Sequence, residues 1–322
     1  MAEFFMEIGS EEIPSGYVEP ALRYMEKELS SFFTRNRIDA ETPKTMGTPR
    51  RLIVSVKGVM EMQEDSVDEF LGPGVSVAYD DQGHPTKAAI GFARGKGVDV
   101  ADLIRKQTPK GEVVCAQVEN KGRATPSLLN DYLPQLINEI PFKKKMRWEN
   151  KTRPFARPLH WLAALFDGKA LEFEFDGIKN GAVSRGHRFL KPEKFNIENL
   201  ESYLNECDKH SLIVDPEIRK NSILEQIRHL AEQAGGQVKK DEDLLNLVNF
   251  LVEYPVAIKG DFDPEFLKLP KELLVITMKS HQKYFPVWDK EEKLLPCFIT
   301  VSNMPGSEGD EIRKGNERVL RA

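Results

Sequence analysis

Two apolar runs, Leu159–Phe166 and Ala170–Phe175, are separated only by Asp167-Gly168-Lys169. That is the punctuation of a tight β-hairpin, and it commits the segment to antiparallel pairing. After it, spacings of three and four take over, with helices expected at about 197–207, 216–234, 241–252 and 270–281. The second of these opens at Asp215-Pro216 and closes at Gly235-Gly236. Strands at about 284–288 and 296–302 follow. Upstream, FFMEIG (4–9) reads as a buried strand. A helix over 19–33 carries Val18, Leu22, Met25, Leu29 and Phe33 along one face, and 49–56 alternates as a second strand. Leu71-Gly-Pro-Gly74 reads as a turn and Tyr79–Pro85 as a hairpin tip. Two short helices joined at Gly95 and Gly97 are expected over 87–106, then a strand over 111–120 and a helix over 125–139. Helices and strands do not alternate strictly, so the expected class is α+β and multi-domain, with mixed or antiparallel sheets and packed helices. The composition turns basic and proline-rich near 145–157, which places one domain at 1–150 and a second at 151–322.

The chain has 322 residues, enough for more than one core. No apolar run approaches the roughly 18 residues of a membrane span. The N-terminus MAEFFMEIGSEEIP has neither the basic nor the apolar region of a signal peptide. Cys115, Cys207 and Cys297 are odd in number and far apart, which reads as buried free thiols in a reducing compartment. The net charge is −5 and the pI about 5.8. An acidic body does not wrap polyanions through its overall charge, so any nucleic-acid contact has to be a local patch.

Such a patch exists. Between 143 and 157 stand seven cations, Lys143, Lys144, Lys145, Arg147, Lys151, Arg153 and Arg157, against one acid, Glu149. Trp148, Phe155 and Trp161 interleave with them. Guanidinium groups grip phosphates bidentately and flat rings stack on unpaired bases, which suits looped or single-stranded RNA. The pairs Arg153-Pro154 and Arg157-Pro158 stiffen the backbone and fix the direction of the cations. A solvated basic loop whose rings belong to the core fits the same residues. Ser184-Arg-Gly-His-Arg-Phe189 adds Arg185, His187 and Arg188. A histidine between two arginines is expected to be neutral, and no neighbouring carboxylate orients it as a base. This loop faces either RNA or a neighbouring domain. Arg50-Arg51 either meets phosphate or pairs with Glu11 and Glu12, and the pairing is the expectation.

Met278–Val287 packs His281, Lys283 and Tyr284 into one segment. Met278-Lys-Ser280 is faintly similar to the ATP-binding lysine loop of class I aminoacyl-tRNA synthetases, but the partner His-x-Gly-His is missing. Gly91–Gly97 has its glycines in the wrong order for a phosphate-cradling loop. The six histidines make no short-spaced pair, so no metal site is expected. Neither Gly-x-Ser-x-Gly nor a Cys/His arrangement points to covalent catalysis. The segment reads as a rigid contact element, with RNA or a partner as its target.

One group of motifs resembles a known family: Glu7-Ile-Gly-Ser-Glu-Glu-Ile-Pro14, Thr48-Pro-Arg-Arg-Leu52, Leu71-Gly-Pro73, Thr86–Phe92, Met146-Arg-Trp148, Arg157-Pro158, Arg185–Phe189, Val252-Glu-Tyr-Pro255, Thr277-Met-Lys279, Gln282–Val287 and Gly315-Asn-Glu317. Together, and in this order, they resemble the β subunit of the bacterial heterotetrameric glycyl-tRNA synthetases. The resemblance implies the N-terminal half of a longer chain, whose other half carries an HD-like domain and an anticodon-binding region. The uncapped stretch Gly315–Ala322 agrees with a chain that continues. It implies a cytoplasmic α2β2 ligase joining glycine to its tRNA with ATP. The ATP and Mg²⁺ chemistry is expected at the α subunit, and no cofactor is expected in this half. A weaker likeness to modules of the phenylalanyl-tRNA synthetase β chain also favours α+β. The implied partners are the α subunit and tRNA(Gly), with a pure assembly module that never touches RNA as the alternative. A self-contained hydrolase built around His187 and His281 is the third class, and it lacks a visible set of partners.

Overall fold

The computed structural model describes residues 1–148, 152–304 and 308–321. It is α+β, with mixed and antiparallel sheets covered by helices. By internal contact it forms two compact units, Met1–Thr34 with Asp39–Val59 and Leu128–Ala322, and Arg35–Ile38 with Met60–Ser127. These units are not the two chain halves, because strand Ala2–Ser10 pairs with Leu159–Phe166 across residue 150.

The strand Ala2–Ser10 is buried along almost its whole length, which fits its near-continuous apolar sequence and its place inside the larger sheet. That sheet runs in the order Lys44–Thr48, Arg51–Val59, Ala2–Ser10, Leu159–Phe166, Ile178–Gly181, Glu174–Phe175. Its pairings are antiparallel except where Ile178–Gly181 runs parallel to Leu159–Phe166. The expected hairpin is present but shallow. Asp167 and Gly168 take positive φ at 49° and 74°, as a two-residue turn requires, yet only Leu165 with Ala170 and Phe166 with Lys169 pair beyond it. Asn180 explains the early exit. Its side chain accepts from Ala164 N at 2.7 Å and donates to Ala164 O and Leu171 O, replacing the ladder that a longer hairpin would form.

Register decides what this sheet can hold. Gly9 pairs with Arg51 on one side and Trp161 on the other, so all three lie on the face that also carries Phe5 and Glu7. A Cβ on Gly9 would fall 2.0 Å from Trp161 Cε2, so only glycine lets the indole and the guanidinium meet above it. The Arg51 Cζ lies 5.2 Å from the Trp161 ring centroid. Arg51 is fully buried. Its Nε donates to Glu253 at 2.9 Å, Nη1 to Glu7 at 3.1 Å and to Ser184 Oγ at 3.3 Å, and Nη2 to the Gly186 carbonyl at 3.1 Å. Glu7 also accepts from Tyr203 Oη at 2.9 Å and Trp161 Nε1 at 3.1 Å, and Glu253 from Thr48 Oγ1 at 2.7 Å. The expectation that Arg50-Arg51 pairs with Glu11 and Glu12 is corrected here for Arg51, because its side chain points into the sheet face.

Around this polar centre the same face is apolar, with Phe5, Ile53, Leu165, Phe195, Leu200 and Leu212 in one cluster. The helices Pro216–Gln233 and Glu242–Asn249 cover one face of a four-stranded antiparallel sheet ordered Gln237–Val238, Phe285–Trp288, Leu294–Ser302, Val256–Asp261. Lys271–Ile276 is α-helical, but Thr277–Gln282 continues as a π-helical turn that stops at Lys283, whose φ is 60°. The second unit has a three-stranded antiparallel sheet, Ser66–Gly74, Gly111–Asn120, Ile104–Thr108. There Leu71-Gly-Pro-Gly74 ends a strand rather than making a turn, and Gly72 lies against Phe92, where a Cβ would sit 2.6 Å from the ring. The helix Lys87–Lys96 ends at the left-handed Gly97, and the second helix expected there is one 3₁₀ turn, Val100–Asp102.

Removing Arg51 leaves Glu7 and Glu253 buried without their shared cation. Arg51→Leu should cost about 3–5 kcal/mol, read as a fall in the urea midpoint of the unit that contains the larger sheet. A loss below about 1 kcal/mol would mean that the carboxylates do not depend on it.

Candidate nucleic-acid interface

The basic stretch leaves the helix Thr125–Glu139 and enters the strand Leu159–Phe166. Met146 and Phe155 exchange both backbone hydrogen bonds, at 2.9 and 3.1 Å, and so close the loop between them at its base. Asp176 anchors its returning limb, accepting from Thr152 N at 3.0 Å, Thr152 Oγ1 at 2.9 Å and Arg153 N at 3.3 Å. The Arg153 guanidinium lies over the Phe175 ring at 5.3 Å, and Arg157 Nε donates to the Glu12 carbonyl at 3.1 Å. Both cations are directed by side-chain contacts within the chain. Lys143, Lys144 and Arg147 are exposed. Lys145 is not free for a ligand: its Nζ donates to the Asn138 carbonyl at 2.7 Å in the last helical turn, and burial holds its pKa below the ordinary lysine value. Glu149 and Lys151 lie outside the described residues.

One cavity adjoins this loop, and a second shares His160 with it. The first, about 240 Å³, is walled by Trp148, Phe155 and Phe175, with Arg153, Arg157 and His160 among its lining residues. The second, about 230 Å³, is lined by Glu11, Arg50, His160, Arg185, Gly186, Arg188 and Pro192. His160 belongs to both. Its Nε2 donates to Glu11 at 2.8 Å, and the other Glu11 oxygen takes Arg188 Nη1 at 2.9 Å. Burial opposes the Glu11 charge, but His160, Arg188 and Arg50 outweigh it and hold the carboxyl below its usual range. Arg50 and Arg185 lie at 6.0 and 5.3 Å from the Trp161 ring, so with Arg51 three guanidinium groups surround one indole. Gly186 makes this turn feasible, since a Cβ there would sit 1.8 Å from the Lys191 carbonyl.

His187 is fully buried between these arginines and reaches no ligand from solvent. Its Nδ1 accepts from Phe189 N and Leu190 N, so the neutral ring carries its proton on Nε2. Its pKa lies below the ordinary value chiefly because of burial, with Arg51 and Arg50 adding to the effect, rather than the sequence neighbours Arg185 and Arg188. Glu253 lies close enough to oppose that shift, a carboxylate the local sequence gave no sign of. The segment 281–284 is separate. His281 is exposed, while Lys283 Nζ turns back to the Ser280 carbonyl at 2.5 Å. Tyr284 is buried, stacks on Phe298 at 4.3 Å and donates to Asn316 Oδ1 at 2.6 Å, so its ring is structural.

A larger cavity, about 560 Å³, lies elsewhere, beside the helices Pro216–Gln233 and Glu242–Asn249. Several of its charges are paired within the chain, Lys240 with Glu242, Lys239 with Glu292, and Asp241 with Lys279, while Arg228 and Glu232 also line it. Among the described residues none of its lining side chains is a buried polar group left without a partner, as the Arg50 Nε is. Among the described residues no group of three or more His, Cys, Asp or Glu could hold a metal ion, and no helix is long and apolar enough to cross a membrane.

The family described as glycyl-tRNA synthetase beta subunit matches residues 4–322. The glycine–tRNA ligase beta subunit of Citrifermentans bemidjiense is 49% identical over 320 residues, covering 99% of this chain and 47% of the relative. Those of Geobacter metallireducens and Syntrophus aciditrophicus are each 47% identical, covering 100% and 99% of this chain and 47% and 46% of their own lengths. The chain spans about half the length of the curated relatives it matches.

Because the folded pKa of His187 lies below its ordinary 6.5, the stability this ring contributes is fully present above pH 6.5. It is lost as pH falls below that value, and the loss levels off beneath the folded pKa. Two-bond ¹H–¹⁵N spectra of histidine-labelled protein should show a neutral Nε2–H ring at pH 6.5. A His187 ring, assigned by its loss in a His187→Gln variant, that is mainly imidazolium at that pH would contradict the assignment.

Proposed function

The chain belongs to the glycyl-tRNA synthetase beta subunit family, and we propose on that premise that it is a contact-making half of a glycine–tRNA ligase subunit. It binds tRNA and docks the α subunit, while ATP, Mg²⁺ and the acyl-transfer chemistry belong to α in a cytoplasmic α2β2 enzyme. The observation that carries this reading is the row of cations held in set directions beside flat rings: Arg153 over Phe175, and Arg50 and Arg185 beside Trp161. Cations positioned before the ligand arrives lose less side-chain entropy on binding than free surface lysines do.

An assembly role without RNA is favoured by one observation. Phe189 is 62% exposed beside Arg188, and an exposed ring with an arginine is also the composition of a protein interface. Gel filtration of the complete β subunit with and without α and tRNA separates the two readings. Binding to α that is weakened by patch substitutions, with no RNA contact, belongs to the second.

Each phosphate neutralised by a cation releases counterions, so tRNA affinity of the assembled enzyme should fall steeply with salt. Replacing Arg153 and Arg157 together by alanine should flatten the slope of log K against log salt by about one to two. An unchanged slope would clear these residues of phosphate contact.

A further inference from the structure

We propose that the two cavities on either side of His160 form one bipartite site for a single unpaired nucleotide. The base enters the cavity walled by Trp148, Phe155 and Phe175, and the phosphate sits among Arg50, Arg185 and Arg188. This rests on the RNA-binding reading above and deepens it by naming the element recognised.

Size comes first. Cavities of about 240 and 230 Å³ each fall below the roughly 300 Å³ at which pockets begin to enclose a drug-sized ligand. Neither alone suits a whole cofactor. Side by side, and sharing His160, they match a ligand made of one flat ring system joined to one oxyanion.

Chemistry selects the same ligand. The first cavity has aromatic walls, and sequence-tolerant stacking on such walls is how unpaired bases are held. The Trp148 Nε1 is buried and has no acceptor among the described residues. A base edge supplies nitrogen and oxygen acceptors, whereas the phenyl ring of a phosphorylated tyrosine would leave that donor unpaired. The second cavity sets three guanidinium groups against the single carboxylate of Glu11, which His160 and Arg188 already engage. Arg50 is 7% exposed, and its buried Nε likewise has no acceptor among the described residues. An arriving phosphate oxygen would provide one, at the place where burial now works against the Arg50 charge. A base inside a duplex is stacked and paired and cannot enter, so the nucleotide comes from a loop or a strand end.

The test uses the complete α/β assembly and tRNA carrying 4-thiouridine at unpaired positions. Irradiation should crosslink peptides that contain Trp148, Phe155 or Phe175. Trp148→Ala and Arg185→Gln should each weaken tRNA binding on the order of tenfold. Their combination should weaken it by less than the product of the two, because both hold one nucleotide. Trp148→Phe, which keeps a stacking face, should recover most of the loss, with thermal unfolding confirming that each variant is folded. Free nucleoside monophosphate should compete for the crosslink better than free phosphotyrosine. Competition in the reverse order would overturn the proposal in favour of a peptide ligand. Crosslinks elsewhere, with less than a twofold effect of both substitutions, would overturn it too. Were tRNA binding still dependent on Arg153 and Arg157 in that case, the broader RNA reading would stand. Indifference to those two arginines as well would remove both.

Discussion

The Arg51 guanidinium is fully buried and reaches two carboxylates, a hydroxyl and a carbonyl. Taking such a cation from water costs several kcal/mol, and only good geometry with nearly complete hydrogen bonding offsets it. Each partner comes from a different element: Glu7 from the strand Ala2–Ser10, Glu253 from the segment before Val256–Asp261, Ser184 and the Gly186 carbonyl from the loop that carries Arg185 and Arg188. Arg51 therefore fixes that loop against the larger sheet, and the surface cations take their positions from it. Trp161 completes the arrangement, with three guanidinium groups around its ring while its Nε1 donates to Glu7.

Motifs scattered along the chain meet in space through this centre. The stretches around Glu7, Thr48–Arg51, Arg185–Phe189 and Glu253 lie up to 246 residues apart (253 − 7) and converge on one buried cluster. Elsewhere Tyr284 meets Asn316, and Gly72 meets Phe92, so other motif pairs close smaller cores of their own. The functional consequence is a surface built on a rigid support. Contacts that need no rearrangement favour a positioning role over a reacting one.

Much of the fold was legible because it is local. The helix Thr125–Glu139 and the strand Gly111–Asn120 follow from periodicity and turn residues alone. The hairpin at Asp167-Gly168 was visible, but its depth was not, since Asn180 competes for the same edge and nothing in the two runs announces it. In the site, the grouping of Trp148, Arg153 and Arg157 was readable from interleaved rings and Arg-Pro stiffening. The fate of Lys145 was not, because its acceptor is a carbonyl freed by a helix end. Glu253 was invisible as the partner of Arg51, being 202 residues away with no pattern linking them. For His187 the expected neutrality agrees with the direction of its shift, but burial rather than neighbouring charge is the main cause, and burial depends on the tertiary fold.

The central claim is that the surface cations are set in place before any RNA arrives. Amide hydrogen exchange on the RNA-free assembly tests it at the groups that hold the two loops. These are Gly186 N to Glu193 O, His187 N to His210 O, and the Met146–Phe155 pair. The account predicts slow exchange at these amides without RNA and little further protection when tRNA is added. Fast exchange that slows only on tRNA binding would mean that the RNA orders the loops, and would contradict it.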